Sequence, residues 1–471
     1  MLPHHINGQP SSVKRVQVGD HVVMVGGRIG KDGLHGATFS SLEWKEGTPA
    51  SVVQIGDPFT QKRVSDFILE ARNRGLFTGL TDNGAGGLSS SVGEMAQFTN
   101  GATIDLALAP TKYPGLSPWE LMVSESQERM TVAVAPTQLN DFMELSRQFG
   151  VESSALGHFT NSGNLEVRFD NKVVGLLPLS FLHEGLPAMN LKAEWNPETQ
   201  WQDWCETPWP RKASLTTQES LITLLSSANI RSHESWVRQY DHEVQAASVT
   251  KQFSHEGVPR DAGVIAMSVH GGEINSGLAV SCGLAPQMSR VDTRTMAIWA
   301  VDEAVRNAVC AGADPERMAM VDNFCWPDSV QSSKNPDGPW KLAQLVRAAE
   351  GMSEICVSYG LPLVSGKDSM KNDAHLKSPQ GETLKISALP TLLMTCIAHV
   401  PDIKFAAPSS PDEADLVVAM LPAINPLTAT TLAQYVKIKT EIPVDPDFFS
   451  KDIDEKIKIP SVPFGHEERL Y

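Results

Sequence analysis

Six consecutive residues, Ser124-Glu125-Ser126-Gln127-Glu128-Arg129, bring two carboxylates, a carboxamide, two hydroxyls and a guanidinium to the entrance of the alternating segment Met130–Ala135. Each such group costs free energy if buried without a partner, so this density next to a strand points to binding chemistry rather than core. Three polar, glycine-rich turns follow the same strand-then-turn plan: Val25-Gly26-Gly27-Arg28-Ile29-Gly30-Lys31-Asp32-Gly33, Thr81-Asp82-Asn83-Gly84-Ala85-Gly86-Gly87 and Val364-Ser365-Gly366-Lys367-Asp368-Ser369. Glycine lets backbone N–H groups approach an anion closely, and carboxylates take hard divalent cations. Together these segments read as a phosphate- and metal-handling site.

Taken singly, each segment has a plainer alternative. The first turn resembles a phosphate loop, but Gly-Lys-Asp replaces Gly-Lys-Ser/Thr and the spacing departs from that motif, so a hairpin turn stays open. Asp82, followed by Gly84-Ala-Gly-Gly87 and a helix, suits a Mg²⁺-binding carboxylate beside amides that take a phosphate, with a simple turn as the other reading. Glu303 and Asn307, at i and i+4, share one helix face and can present two oxygens to one metal or merely face solvent. Asp322-Asn323-Phe324-Cys325-Trp326 and Ser365–Ser369 each end an apolar strand, where α/β sheets bind ligands. Ala308-Val-Cys-Ala-Gly312 lacks the first glycine of a nucleophile elbow and lies late in a helix, so packing is the expected role of Cys310. His4 and His5 read as a terminal pair rather than a metal site.

The elements that position these residues alternate between strand and helix. Apolar periodicity predicts strands at Val22–Val25, Met130–Ala135, Asn164–Phe169 and Lys172–Pro178, and helices at Lys62–Arg74, Ser89–Phe98 and Leu139–Phe149. Residues 185–215, rich in Trp and Pro, read as a connection. A second unit is then predicted, with helices at Ser220–Ala228, Thr293–Ala311 and Leu342–Tyr359, and strands at Ala262–Val269, Met318–Asp322, Leu361–Val364 and Thr391–His399. The class is α/β with mixed α+β character. Beyond about Leu421 periodicity fades into a loose tail or incomplete domain.

The 471-residue chain is long enough for two or three cores, and its net charge of −16 argues against nucleic acid as the main partner. The six cysteines (205, 282, 310, 325, 356, 396) show no CxxC spacing and read as buried free thiols in a reducing compartment. No apolar run is long enough to span a membrane and no signal peptide is visible, so the expected compartment is the cytoplasm.

At these residues the chain resembles phosphoribosylformylglycinamidine synthase, the amidine-forming enzyme of purine synthesis. The resemblance rests on Gly30–Ser40, Val53–Pro58, Thr81–Leu88, Ser124–Arg129, Val301–Asn307, Asp322–Trp326 and Ser365–Ser369, in order along residues 20–400. It implies a carbon–nitrogen ligase of the aminoimidazole ribonucleotide synthetase-like fold, using ATP and Mg²⁺ to convert formylglycinamide ribonucleotide to its amidine. Residues 1–185 would be a C-terminal-type domain (B1), 186–214 a linker, 215–405 an N-terminal-type domain (A2), and 406–471 a tail or incomplete second B domain. Carried over by motif, Gln54, Glu125, Ser126, Gln127 and Ser369 would bind substrate, and Asp322, Gly366 and Lys367 the nucleotide. Asp82, Asp261, Glu303 and Asn307 would bind metal; Lys367 stands where some members have Asn.

No catalytic residue is assigned, because the family histidine lies in a segment before B1 that has no counterpart in this sequence. The expected partners are a separate glutaminase supplying ammonia and a second copy or complementing synthetase chain, with no nucleic acid and no membrane. The alternative is a nucleotide-binding fragment without turnover.

Overall fold

The computed structural model describes residues 5–6, 9–10, 13–34, 36, 56–195, 216–228, 231–239, 246–253, 257, 259–270, 275–377, 381 and 383–406. The sequence expectations for Gln54, His35 and the segments 37–55, 196–215 and 407–471 lie outside these residues. The chain divides into two compact units, Met1–Asn190 and Leu191–Tyr471.

The first unit is built on a seven-stranded sheet. Its strands are β1 (His21–Gly26), β2 (Gly79–Asp82), β3 (Ala102–Asp105), β4 (Arg129–Val134), β5 (Ser153–Phe159), β6 (Asn164–Phe169) and β7 (Lys172–Pro178). Their spatial order is β2-β4-β1-β5-β3-β6-β7, antiparallel except for the β3–β6 pair. Successive side chains of a strand point to opposite faces, and β1 uses both. Val22 and Met24 enter one core with Leu88, Val92 and Met95, while Val23 and Val25 enter a second with Phe67, Phe142 and Leu145. This two-sided burial explains the uninterrupted apolar run Val22–Val25. Helices α1 (Pro58–Asn73) and α4 (Leu139–Gln148) supply the second core; α2 (Gly87–Ala96), α3 (Pro118–Val123) and α5 (Leu179–Glu184) supply the first. Helix α1 starts four residues before its expected start at Lys62, because the Asp57 side chain caps Phe59 N–H and Pro58 fits the first turn.

The second unit has a six-stranded sheet in the order β8-β9-β10-β15-β11-β12. Its strands are β8 (Ser248–Thr250), β9 (Ala262–Ala266), β10 (Gly277–Leu284), β11 (Met318–Cys325), β12 (Leu363–Ser369) and β15 (Thr391–Val400). A separate hairpin joins β13 (Asp373–Lys377) to β14 (Thr383–Ser387). Helices α8 (Thr293–Cys310) and α9 (Gly338–Tyr359) pack together, and α8 also lies on β10 and β15; α6 is Thr217–Leu225 and α7 Glu234–Val237. A Cβ on Gly283 would lie 1.9 Å from the Ala300 carbonyl oxygen, so only glycine lets α8 come this close to β10.

Three expectations change in this unit, and the first is the strand expected over Ala262–Val269, which ends at Ala266 where a 3-10 helix, Met267–His270, begins. The Val364–Ser369 turn is strand, since β12 continues through Ser369 in parallel register with β11. The end of the Trp- and Pro-rich connection is docked: Trp195 stacks on Trp340 with ring centroids 4.6 Å apart and lies under Arg347, and Glu194 N–H donates to Pro339 O. Among the described cysteines all are free; Cys356 and Cys396 are buried as expected, whereas Cys282 and Cys310 are exposed.

Candidate functional site

In the first unit, sheet register brings three of the polar segments to one end. Gly26, at the end of β1, pairs with Arg129 at the start of β4, and Asp82, at the end of β2, pairs with Met130. The Gly26–Gly33 turn, the Asp82–Gly87 turn and the Ser124–Arg129 segment therefore leave or enter neighbouring strands side by side. Their closeness dictates the glycines. Gly26 has φ +103°, and a Cβ there would meet Glu128 O at 2.0 Å; one on Gly87, at φ +56°, would meet Ser124 O at 2.2 Å. Glu128 itself sits at φ +59°, an unfavourable conformation for a side chain of this kind.

Hydrogen bonds stitch the segments together. Gly30 N–H donates to Ser126 Oγ (3.0 Å), and Ser126 Oγ donates to Asp32 Oδ1 (2.9 Å). Ser124 Oγ donates to Gly30 O (2.7 Å). Gly86 N–H donates to Glu125 Oε1 (3.2 Å), placing a carboxylate at the N-terminal end of α2, where the helix dipole favours negative charge. Asn83 N–H donates to Arg129 O (3.2 Å), and Asn83 Oδ1 accepts from Ser91 and Thr131. Arg129 is 3% exposed, with Nε donating to Ser126 O and Nη2 to Ser124 O. Burial pushes its guanidinium down to about 10, partly offset by the charge of Asp32. Gln127 is half-buried, and its Nε2 donates to Glu125 O (3.2 Å).

The phosphate-loop reading of the first turn is overturned by these contacts. Gly27 N–H is used by Glu128 O, Ile29 N–H by Pro110 O, Gly30 N–H by Ser126 Oγ and Lys31 N–H by Tyr113 Oη. Those amides are spent inside the chain and do not cradle an anion. Crossed ion pairs hold the turn closed: Lys112 with Asp32 (2.9 Å) and Lys31 with Glu120 (3.0 Å). The Glu120 carboxyl is held down to about 2, first by the Ser117 N–H and then by Lys31 and the Ser117 hydroxyl. Nothing in the sequence distinguished Lys112, Tyr113 or Glu120; only the proline run around them marked a loop of fixed path.

In the second unit β11 and β12 run parallel, pairing Asp322 with Gly366, Asn323 with Lys367 and Cys325 with Ser369. A Cβ on Gly366 would lie 2.6 Å from Asp322 Oδ1, so glycine leaves room for that carboxylate. Burial, then the nearby Asp368, raises the Asp322 carboxyl above its ordinary range. Ser369 O accepts from Trp326 N–H (2.8 Å) and Asn372 Nδ2 (2.6 Å), fixing the strand's end. Lys367 Nζ donates to Asp368 O (3.4 Å).

On α8, Glu303 Oε2 accepts from Leu284 N–H (2.7 Å) and Asn307 Nδ2 donates to Cys282 O (2.9 Å), so both tie the helix to β10. Burial raises the Glu303 carboxyl. Asp261 precedes β9, and its charge raises the Cys310 thiol, an effect second to burial. Among the described residues no group of three or more His, Cys, Asp or Glu side chains converges on one point. Mg²⁺ is commonly held by one or two carboxylates together with water and phosphate oxygens. Asp82 fits: its Oδ1 accepts from Gly84 N–H (2.8 Å), and the residue is exposed at the turn.

Comparison with known proteins gives the class first. The AIR synthase related protein C-terminal domain matches residues 17–170, and the N-terminal domain of the same class matches residues 259–389. The chain is 34% identical over 411 residues to phosphoribosylformylglycinamidine synthase subunit PurL of Methanopyrus kandleri, covering 85% of this chain and 52% of that protein. It is 33% identical over 362 residues to the same subunit of Thermomicrobium roseum, covering 76% and 47%. Thus the chain spans about half the length of these relatives. Among solved structures it is similar to T. maritima PurL complexed with FGAR, with a TM-score of 0.63, 24% identity, 85% of this chain and 58% of that one. The PurLQS structure from Thermotoga maritima gives 0.60 at 23% identity, covering 84% and 57%. At this identity the two structures speak to fold alone.

Two AIR synthase-related domains, C-terminal type before N-terminal type, define the fold. Over most of its length the chain is similar to phosphoribosylformylglycinamidine synthase subunit PurL.

Proposed function

We propose that this chain is the B1–A2 portion of a synthetase that converts formylglycinamide ribonucleotide to the amidine at the expense of ATP. Residues 1–185 form B1, 186–214 the connection, 215–405 A2 and 406–471 the remaining segment. The observation that supports this best is the convergence of Gly26–Gly33, Asp82–Gly87 and Ser124–Arg129 at one end of the first sheet, in a chain similar to PurL over most of its length. The PurL structures from T. maritima include complexes with FGAR and with ATP.

In this reading Gln54, Glu125, Ser126 and Gln127 take a ribonucleotide in the first unit, and Ser369 takes a substrate phosphate or amide in the second. Asp322, Gly366 and Lys367 lie at a nucleotide. Asp82 would hold Mg²⁺ in the first unit, and Asp261, Glu303 and Asn307 in the second. The cation, when bound, neutralises phosphate charge. The formamide oxygen attacks the γ-phosphorus and ADP leaves. Ammonia then adds to the imidate carbon, and inorganic phosphate departs with the former formamide oxygen. Such chemistry needs positioning and charge neutralisation more than covalent help from side chains. Ammonia would come from glutamine through a separate glutaminase, and the remaining synthetase surface from a second or complementing chain, in the cytoplasm.

The test is ADP release that requires both formylglycinamide ribonucleotide and ammonia, measured on the chain alone and with a complementing PurL half. Release in either case supports the reading. Mg²⁺-ATP binding without release in both favours a nucleotide-binding chain without turnover.

A further inference from the structure

Arg129 stands apart from the other groups of the site. It is a buried guanidinium whose Nε and Nη2 hydrogen-bond to two backbone carbonyls, Ser126 O at 2.8 Å and Ser124 O. Those two residues, with Glu125 between them, make side-chain links to both neighbouring turns. Ser124 Oγ and Ser126 Oγ hold Gly30, Ser126 Oγ holds Asp32, and Glu125 Oε1 holds Gly86 N–H. The Arg129 carbonyl takes Asn83 N–H, so the same residue also pins the Asp82 turn. We propose that Arg129 is the positioning residue of this site: its guanidinium fixes the path of Ser124–Gln127, and through that path both glycine-rich turns. The structural part of this inference stands on geometry alone; its ligand consequence rests on the function proposed above.

Lysine offers a point charge that cannot span two carbonyls in a planar fork, and methionine offers neither charge nor donor. Hydrogen exchange on the full chain separates positioning from general stability. In Arg129→Met, exchange at Gly30 and Gly86 is expected to rise about tenfold or more while the β1 and β4 ladder amides keep their protection, with Arg129→Lys intermediate. A uniform rise across the unit, or no change at Gly30 and Gly86, overturns the proposal. If Arg129→Met fails to fold, Arg129→Lys carries the same comparison.

Calorimetry with formylglycinamide ribonucleotide is the second arm. Where wild type binds, weakening by about tenfold in Arg129→Met supports the inference and equal affinity overturns it. Local exchange effects in a wild type that binds no ribonucleotide would support Arg129 as the organiser of these loops while removing the substrate reading.

Discussion

Gly87 shows how close approach, rather than composition, fixes a residue. At φ +56° with Ser124 O 2.2 Å from a would-be Cβ, Gly87→Ala strains the backbone and pushes the Ser124 segment away. A loss of about 1–3 kcal/mol in urea unfolding is expected. Glu120 offers a pH test. Its folded-state carboxyl is held down to about 2, against 4.5 ordinarily, by Ser117 and Lys31. A depressed carboxylate contributes stability that is complete above the unfolded value and lost as the pH falls through the folded one. Wild type should therefore melt higher than Glu120→Gln at pH 6, with the gap narrowing from about pH 4.5 and closing near pH 2.

Among the elements, the β13–β14 hairpin is fastened by a polar network that no periodicity announces. Asp373, 2% exposed, accepts from Asp328 N–H (2.8 Å) and the Ser387 hydroxyl, with Lys385 at 3.6 Å. Lys341 and Lys385 both donate to Asn335 Oδ1, at 2.9 and 3.0 Å. Asp373→Ala strands the Asp328 amide beside two cations, at an expected cost of about 1–3 kcal/mol by chemical denaturation. Strands and helices with regular apolar spacing were legible from sequence: Asn164–Phe169 and Lys172–Pro178 have the expected bounds, and α8 ends one residue early. What escaped had a physical reason. The seven-residue β5, Ser153–Phe159, carries Ser, Gly and His in place of β-branched residues, and β10 starts at Gly277 and holds Gly283 near its end, which weakens its apolar pattern. The polar end of β12 read as a turn because Ser-Gly-Lys-Asp-Ser has weak strand propensity; parallel pairing with β11 overrides it. At the site, the motif residues were legible. Their clamps, Lys112 and Glu120, were not, because an ion pair 80 or 89 residues apart in sequence leaves no local pattern.

For the whole molecule, the first unit carries two cores and the second one, and the polar segments divide between them: ribonucleotide candidates mainly in the first, nucleotide candidates in the second. In the function proposed above, the loops converging at the end of the first sheet form a ribonucleotide site. Calorimetric titration of the full chain with formylglycinamide ribonucleotide, beside Gln127→Ala, tests it most directly. Saturable binding in wild type, weakened by about tenfold in the variant while the melting temperature is unchanged, is the outcome this site requires. No binding to the wild type, or equal binding to both, would contradict it.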